Sequence, residues 1–406
     1  MRARKPPLLS FLCLPVLLIG VVLASPLFLC AQNPDPPAPS QNPTSEHTSW
    51  WNGITYDGLA SFSYTYNTND PIPPLNQFRV FDFNDNQLQV DVAQLVVQHP
   101  ASAPNQFGFR VNFIVGQAVP QVTASYGLFR NNQTGKGQPY DLLEVYASYV
   151  APLGKGLRLD LGKFATPLGY EVIGGYDGYN VNFSRGFIFG YGLPFTQTGL
   201  KASYALTEKF SASVLLTNGC DAVANLNGSL TVAGQIVYTN SSNTAITVNY
   251  LHGPQQPHNN YDQTNLYEVV GTWMVVSPLQ LAIDSLYAGE DHAAPGGGNA
   301  IWKGIAGYAV YSFTKNFSLA FRGEVFADPS GIRTGTPQTL QGFTLTPQYV
   351  APANFSRWKS ELKHFDGHLV IRPEFRKDFS TTNSFRKGTG YTNHQFTTAI
   401  NLIYVF

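Results

Sequence analysis

Three short stretches place acids and bases two residues apart: RLD at 158–160, RGE at 322–324 and RPEFRKD at 372–378. Carboxylates and guanidiniums at that spacing could do acid–base work, brace a wall by pairing, or line a polar passage. On a strand, residues two apart share a face. Arg158 and Asp160, Arg322 and Glu324, and Arg372, Glu374 and Arg376 would then project together. Arg110, Glu144, Glu268 and Asp284 fall on the same parity of their own stretches, giving five basic and six acidic residues on one side. Opposed charges across a channel create a transverse field that sieves hydrated solutes. The same charges could simply satisfy one another and stiffen a wall. The near balance of sign argues against strong preference for either ion.

Catalytic chemistry finds little support. A metal site needs clustered His, Cys or carboxylate ligands. The eight His are scattered, and His252, His258 and His292 lie in polar stretches that read as loops. HExxH is absent, and no Ser is marked by a His and a carboxylate at a recognisable spacing. GGGN at 296–299 is no phosphate cradle, because neither GK[ST] nor a helix follows. No catalytic residue, metal ligand or cofactor is therefore expected. The charge balance of 25 basic against 25 acidic residues is not that of a nucleic-acid binder.

Strands must position these charges. NQFGFRVNFIVG sets Phe107, Phe109, Val111, Phe113 and Val115 against Gly108, Arg110, Asn112 and Ile114. KGLRLDLGKF, NFSLAFRGEVF and HLVIRPEFRKDF repeat the pattern, large apolar residues opposite polar ones. The period is two, not 3.6. Pro373 departs from it, since proline cannot donate to a ladder. Nearly every charge on these strands lies on the polar parity. The energetic reason is that Arg or Lys facing lipid at mid-membrane costs ~2–4 kcal/mol. Lys163 and Lys377 fall on the apolar parity, where they are expected to snorkel from strand ends.

Composition narrows the class. Charged residues make up 12% of the chain, about half of the ~25% usual for soluble domains. Aromatics make up 14%, and no apolar run of about 18 residues follows the first thirty residues. Arg2, Arg4 and Lys5 precede an uncharged apolar run, so residues 1–31 read as a signal peptide cleaved after Ala31. An uncleaved anchor and a lipidated Cys30 are the alternatives. Residues 32–49 are Pro-rich and read as a disordered lead-in, and residues 50–406 as one barrel domain. Cys220 is then the one cysteine clearly left in the exported chain, with no intrachain disulfide. An exported chain, poor in charge and alternating at period two, points to an all-β transmembrane antiparallel up-and-down barrel. An exported soluble sandwich would alternate too, but would carry more surface charge.

Connections alternate in length. APLGKG, LTEK, TNSSN, VSP and TKN are short, and the polar stretches at 218–228, 252–263, 289–299 and 327–338 are longer. Sixteen strands are expected, near 54–66, 86–98, 107–118, 140–151, 156–165, 194–205, 209–218, 229–239, 243–252, 264–276, 279–288, 301–313, 317–326, 340–350, 368–379 and 394–406, with 14 to 18 as bounds. ANFSRWKSELKHFDG (353–367) is long for a turn and could hold a short helix or a further strand. The segment 162–199 is crowded with Gly and aromatics, too long for a turn and too apolar for a solvated loop. It is expected to fold inward and narrow a pore, with a loop capping the mouth as the alternative.

GKFATPLGYEV, NFSRGFIFGYGLPFTQTGLKASY and RPEFRKDFS, with the aromatic terminus, resemble the OmpL-like β-barrel porins of Gram-negative bacteria. The resemblance covers most of the chain after residue 50, with its specific words at 162–204 and 372–380. It implies an outer-membrane barrel with a porin role and brings no catalytic residues. Phe406, Tyr404 and Leu402 alternate at the end of the chain and resemble the signal read by outer-membrane assembly machinery.

These readings converge on a bacterial outer-membrane porin that passes small hydrophilic solutes with weak charge selectivity. Its pore lining would come from Arg110, Glu144, Arg158, Asp160, Glu268, Asp284, Arg322, Glu324, Arg372, Glu374 and Arg376. Lipid, the assembly machinery and the solutes are its expected partners, and monomer and homo-oligomer stay open. A structural or adhesive barrel without an open pore is the alternative, and a membrane hydrolase a more distant one.

Overall fold

The computed structural model of the protein describes residues 50–122, 128–131, 134, 136–173, 180–240, 243–351 and 368–405. The period-two stretches form β1 (Thr55–Asn67), β2 (Gln87–His99), β3 (Phe107–Val115), β4 (Tyr140–Ala151), β5 (Leu157–Ala165), β6 (Thr196–Ala205), β7 (Phe210–Cys220) and β8 (Thr231–Thr239). They continue as β9 (Thr244–Gly253), β10 (Thr264–Val276), β11 (Leu279–Glu290), β12 (Ala300–Ser312), β13 (Phe317–Asp328), β14 (Gln338–Ala351) and β15 (His368–Ser380). Two short strands, β16 (Phe385–Lys387) and β17 (Gly390–Thr392), make a hairpin inside the last long loop before β18 (His394–Val405). The sixteen long strands close into one antiparallel barrel, and β16–β17 stand apart from it. Every expected strand is present within a few residues of its expected bounds. β14 pairs directly with β15, so the barrel closes without a strand from SRWKSELKHF, which lies outside the described residues.

Closure is made by β1 and β18, in register from Leu59 opposite Val405 to Asn67 opposite Thr397. Pairing the first strand with the last removes both free edges, which hydrocarbon would leave unsatisfied. Asp91 on β2 gathers this seam from inside. It accepts from Ser61 and Ser63 on β1 at 2.9 and 2.6 Å, from Gln89 at 2.9 Å and from Asn401 on β18 at 3.3 Å.

Alternation sorts the two faces. Phe62, Leu161, Phe321, Phe375, Ile400, Leu402 and Tyr404 are exposed on the outside, while Asn112, Arg322, Glu374 and Asn401 are buried on the inside. Phe107 stacks on Tyr149, and Phe313 on Phe317, at the short-turn end. Tyr250 meets Tyr267 near the long-loop end. Aromatic girdles at both rims of an apolar belt suit a bilayer's two interfaces. Pro373 fits its strand for a simple reason. The β14–β15 register runs from Leu345–Phe375 to Tyr349–Ile371, which brings Pro347 opposite Pro373. Neither has an N–H to donate, so the two missing donors fall at one place and the β14–β15 ladder is interrupted once instead of twice. Lys377 extends over the Phe379 ring near the rim. Lys163 does not snorkel. Its ammonium is buried against Asp141 Oδ2 and the Leu142 carbonyl, both at 2.7 Å. The nearby carboxylate holds it in place of interfacial water.

Candidate functional site: an inward-folded loop and a charged wall

The connection between β5 and β6 (166–195) enters the barrel. A chain segment inside a barrel has no strand partner, so its backbone polar groups need side-chain partners. The inner charges of β10 to β15 supply them. Their carboxylates accept loop N–H groups. Glu268 takes Gly169 N–H at 3.0 Å and Asp284 takes Tyr170 N–H at 3.1 Å. Glu374 takes Phe183 and Ser184 N–H at 2.7 and 3.0 Å, and Glu324 takes Phe187 N–H at 2.5 Å. Their arginines donate to loop carbonyls. Arg372 reaches Asn180 O at 2.6 Å, Arg322 reaches Ser184 O at 2.7 Å and Arg376 reaches Arg185 O at 2.6 Å. The division follows from charge: a carboxylate only accepts and a guanidinium only donates.

The loop answers with its own charge. Glu171 pairs with Arg322 at 2.5 Å and accepts Gly186 N–H at 2.7 Å. Gly186 suits this approach: a Cβ there would sit 2.8 Å from Glu324 Oε2 and would push it from its hydrogen bond with Phe187 N–H. Around the polar zipper, Leu168, Phe187, Ile188 and Leu193 pack on Leu286, Trp302, Tyr308 and Phe326. Trp302 donates its indole N–H to Gly192 O at 3.0 Å, the partner a buried Trp usually finds.

The first long loop (68–86) and the β16–β17 hairpin buttress this one. Arg79 bridges Asp82 and Asp378 at 2.5 and 2.6 Å. Arg185 lies over the rings of Phe81 and Phe189, and Phe78 sits edge-on to Phe385 and Tyr191. Arg79, Asp82 and Asp378 compensate one another, since an unpaired buried charge would cost several kcal/mol.

Of the eleven expected lining residues, all project inward, but they divide into two sets. Glu268, Asp284, Arg322, Glu324, Arg372, Glu374 and Arg376 are covered, 3% exposed or less. The loop lies over them, so they hold a wall and do not meet water. Asp160 is covered as well, beneath Arg158 and Lys201. Arg110, Glu144 and Arg158 keep part of their side chains open, at 26, 13 and 20%. They belong to β3, β4 and β5, on the side of the barrel the loop leaves uncovered. Gln98, Tyr146, Ser203 and Ser213 are half-buried on the same side, and Gln235 on β8 marks the edge of the loop, donating to Pro167 O at 2.8 Å. Met274, Gln280, Ser318 and Gln348, at the short-turn ends of β10, β11, β13 and β14, are also half-buried, so coverage thins toward that end. The segment 162–199 therefore folds inward as expected over its described residues, 174–179 lying outside them.

Sequence reading missed Lys201, Arg79, Asp82 and Glu171; Asp378 shares the polar parity of Arg376 on β15 but was not among the expected lining residues. Lys201 was legible from the alternation in GLKASY, with Leu200 and Ala202 facing out. The loop residues carry no periodicity that could have placed them. Among the described residues, no group of three or more His, Cys, Asp or Glu is arranged to hold a metal.

The family described as "Putative beta-barrel porin-2, OmpL-like" matches the chain over residues 53–406. No curated protein matches it by sequence. The fold is similar to an anion-selective porin from Comamonas acidovorans, at TM-score 0.55 and 11% identity, covering 87% of this chain and 99% of that one. It is also similar to the outer-membrane channel DcaP of Acinetobacter baumannii and to OmpF of Salmonella typhi, each at TM-score 0.54 and 11% identity over 87% of this chain and 97% of the other. At that identity the likeness concerns the fold.

Proposed function

The chain belongs to the OmpL-like β-barrel porin family and is a bacterial outer-membrane channel, and from that premise we propose that small hydrophilic solutes diffuse passively along the uncovered side of its lumen. The path runs past β3 to β6 and beneath the inward loop, which sets the size limit. The observation that carries this reading is the uneven burial of the inner charges: covered on β10 to β15, part-open on β3 to β6. Residues 1–31 serve as the export signal in this reading, lipid covers the aromatic outer belt, and the assembly machinery reads the terminal strand. Transport in this reading is passive and uses no chemical step.

A sealed structural barrel is the second reading, and the depth of loop packing favours it. Purified protein in planar lipid bilayers separates the two. The channel reading expects stepwise conductance that scales with salt, and exclusion of neutral polymers above a defined size. Folded, inserted protein that never conducts would favour the sealed barrel.

A further inference from the structure

We propose that the β5–β6 wall is an anion station of the channel, with Lys201 as its principal selectivity residue. This rests on the channel reading above. Arg158 Nε and Lys201 Nζ both contact Asp160, at 2.9 and 3.2 Å. Asp160 is fully buried, and Ser148 also donates to it at 2.6 Å. Two cations thus share one carboxylate that water does not reach. Their own side chains remain 20 and 22% exposed. Next along the wall, Arg110 pairs with Glu144 at 2.7 Å, and Asn112 takes up the same carboxylate oxygen at 3.0 Å. Apart from the buried Lys163–Asp141 pair, the β3 to β6 wall carries three cations and two carboxylates; Arg110, Arg158 and Lys201 are its more exposed members, with Glu144 less open and Asp160 covered. Neighbouring hydroxyls complete the surface: Ser213 donates to Ser203 at 2.9 Å beside Arg158 in the β5–β6 register.

The sign of this wall was hidden in the sequence count. Most inner carboxylates are occupied with loop N–H groups, so the near-neutral total does not describe the face that solutes meet. Positive charge at the surface of a narrow wet passage attracts small oxyanions, carboxylates and phosphates alike, and repels cations. Asp160 acts as a positioning residue. It holds Arg158 and Lys201 side by side without presenting its own charge.

The test is the reversal potential of the purified protein in a planar bilayer under a KCl gradient, with inorganic phosphate added afterward. Wild-type protein is expected to favour chloride over potassium, and phosphate is expected to reduce chloride current. One unit charge about 6 Å from the ion path in a water-like dielectric changes the local concentration of a monovalent ion about threefold. Because chloride falls and potassium rises by about that factor each, Lys201→Gln should lower the anion preference by up to about tenfold, and Lys201→Glu should reverse it. Lys209→Gln, in the 206–209 turn, should change neither. Equal heat-modifiable mobility on gels checks that each variant is folded. Conductance without anion preference, or a Lys201→Glu variant with unchanged reversal potential, would overturn the station while leaving the channel standing. Absence of conductance would overturn the channel reading and the station with it.

Discussion

Glu374 shows what the inner charges of β10 to β15 do. Its two oxygens receive Phe183 N–H, Ser184 N–H and the Thr346 hydroxyl, and it is buried. Removing it strands two backbone donors away from water, each costing about 1–3 kcal/mol. Glu374→Ala is therefore expected to destabilise the folded barrel by about 3 kcal/mol, and Glu374→Gln, which keeps one acceptor, by about half as much. Urea unfolding in lipid vesicles measures both, and an Ala variant as stable as wild type would refute the docking role. Arg376 makes the contrasting case. It lies covered between Asp378, Ser184 and the Phe187 ring. Arg376→Gln should lower stability and leave the reversal potential unmoved. A shift as large as that of Lys201→Gln would place it in the ion path.

At the scale of elements, the barrel seam and the loops behave differently. Asp91 joins three strands through hydroxyl and amide donors, so Asp91→Ala should weaken closure by about 1–3 kcal/mol. A lower temperature for loss of heat-modifiable mobility would register it, and an unchanged temperature would count against the seam. Outside, His292 of the loop after β11 meets Asp262 of the loop after β9 at 2.6 Å. That hydrogen bond raises the His292 pKa above the ordinary histidine value and lowers the Asp262 pKa below the ordinary carboxylate value. A raised pKa means the contact helps while His292 is protonated and is lost as pH rises through that pKa. A depressed Asp262 pKa means its share is lost as pH falls through it. The contact thus operates between the two, and NMR titration of His292 should show a pKa that drops in Asp262→Asn. Equal values would show the loops apart. Strands were legible because alternation over nine or more residues repeats a physical rule at every position, as in Phe107 to Val115. Loop docking was not, because Glu171 finds Arg322 across 151 residues with no local pattern to announce it. The inward parity of Glu268 or Arg372 was readable, but its coverage was not, since burial there depends on a segment far away in the chain.

At the scale of the whole molecule, the barrel has an inverted plan: an apolar belt outside, and inside a polar interior that is half packed and half open. The packed half resembles a protein core built around charge pairs, with Phe187, Trp302 and Phe326 filling the gaps. The open half lies along β3 to β6. That division is the central claim, and cysteine accessibility tests it most directly. In a Cys220→Ser background, one variant carries Ser203→Cys on the open wall and another carries Thr344→Cys beneath the loop. Ser203 is half-buried and Thr344 fully covered. A charged, water-soluble thiol reagent applied to channels in a bilayer should react at position 203 and change the current, and should leave position 344 untouched. Equal reaction at both positions, or reaction at 344 alone, would contradict the account.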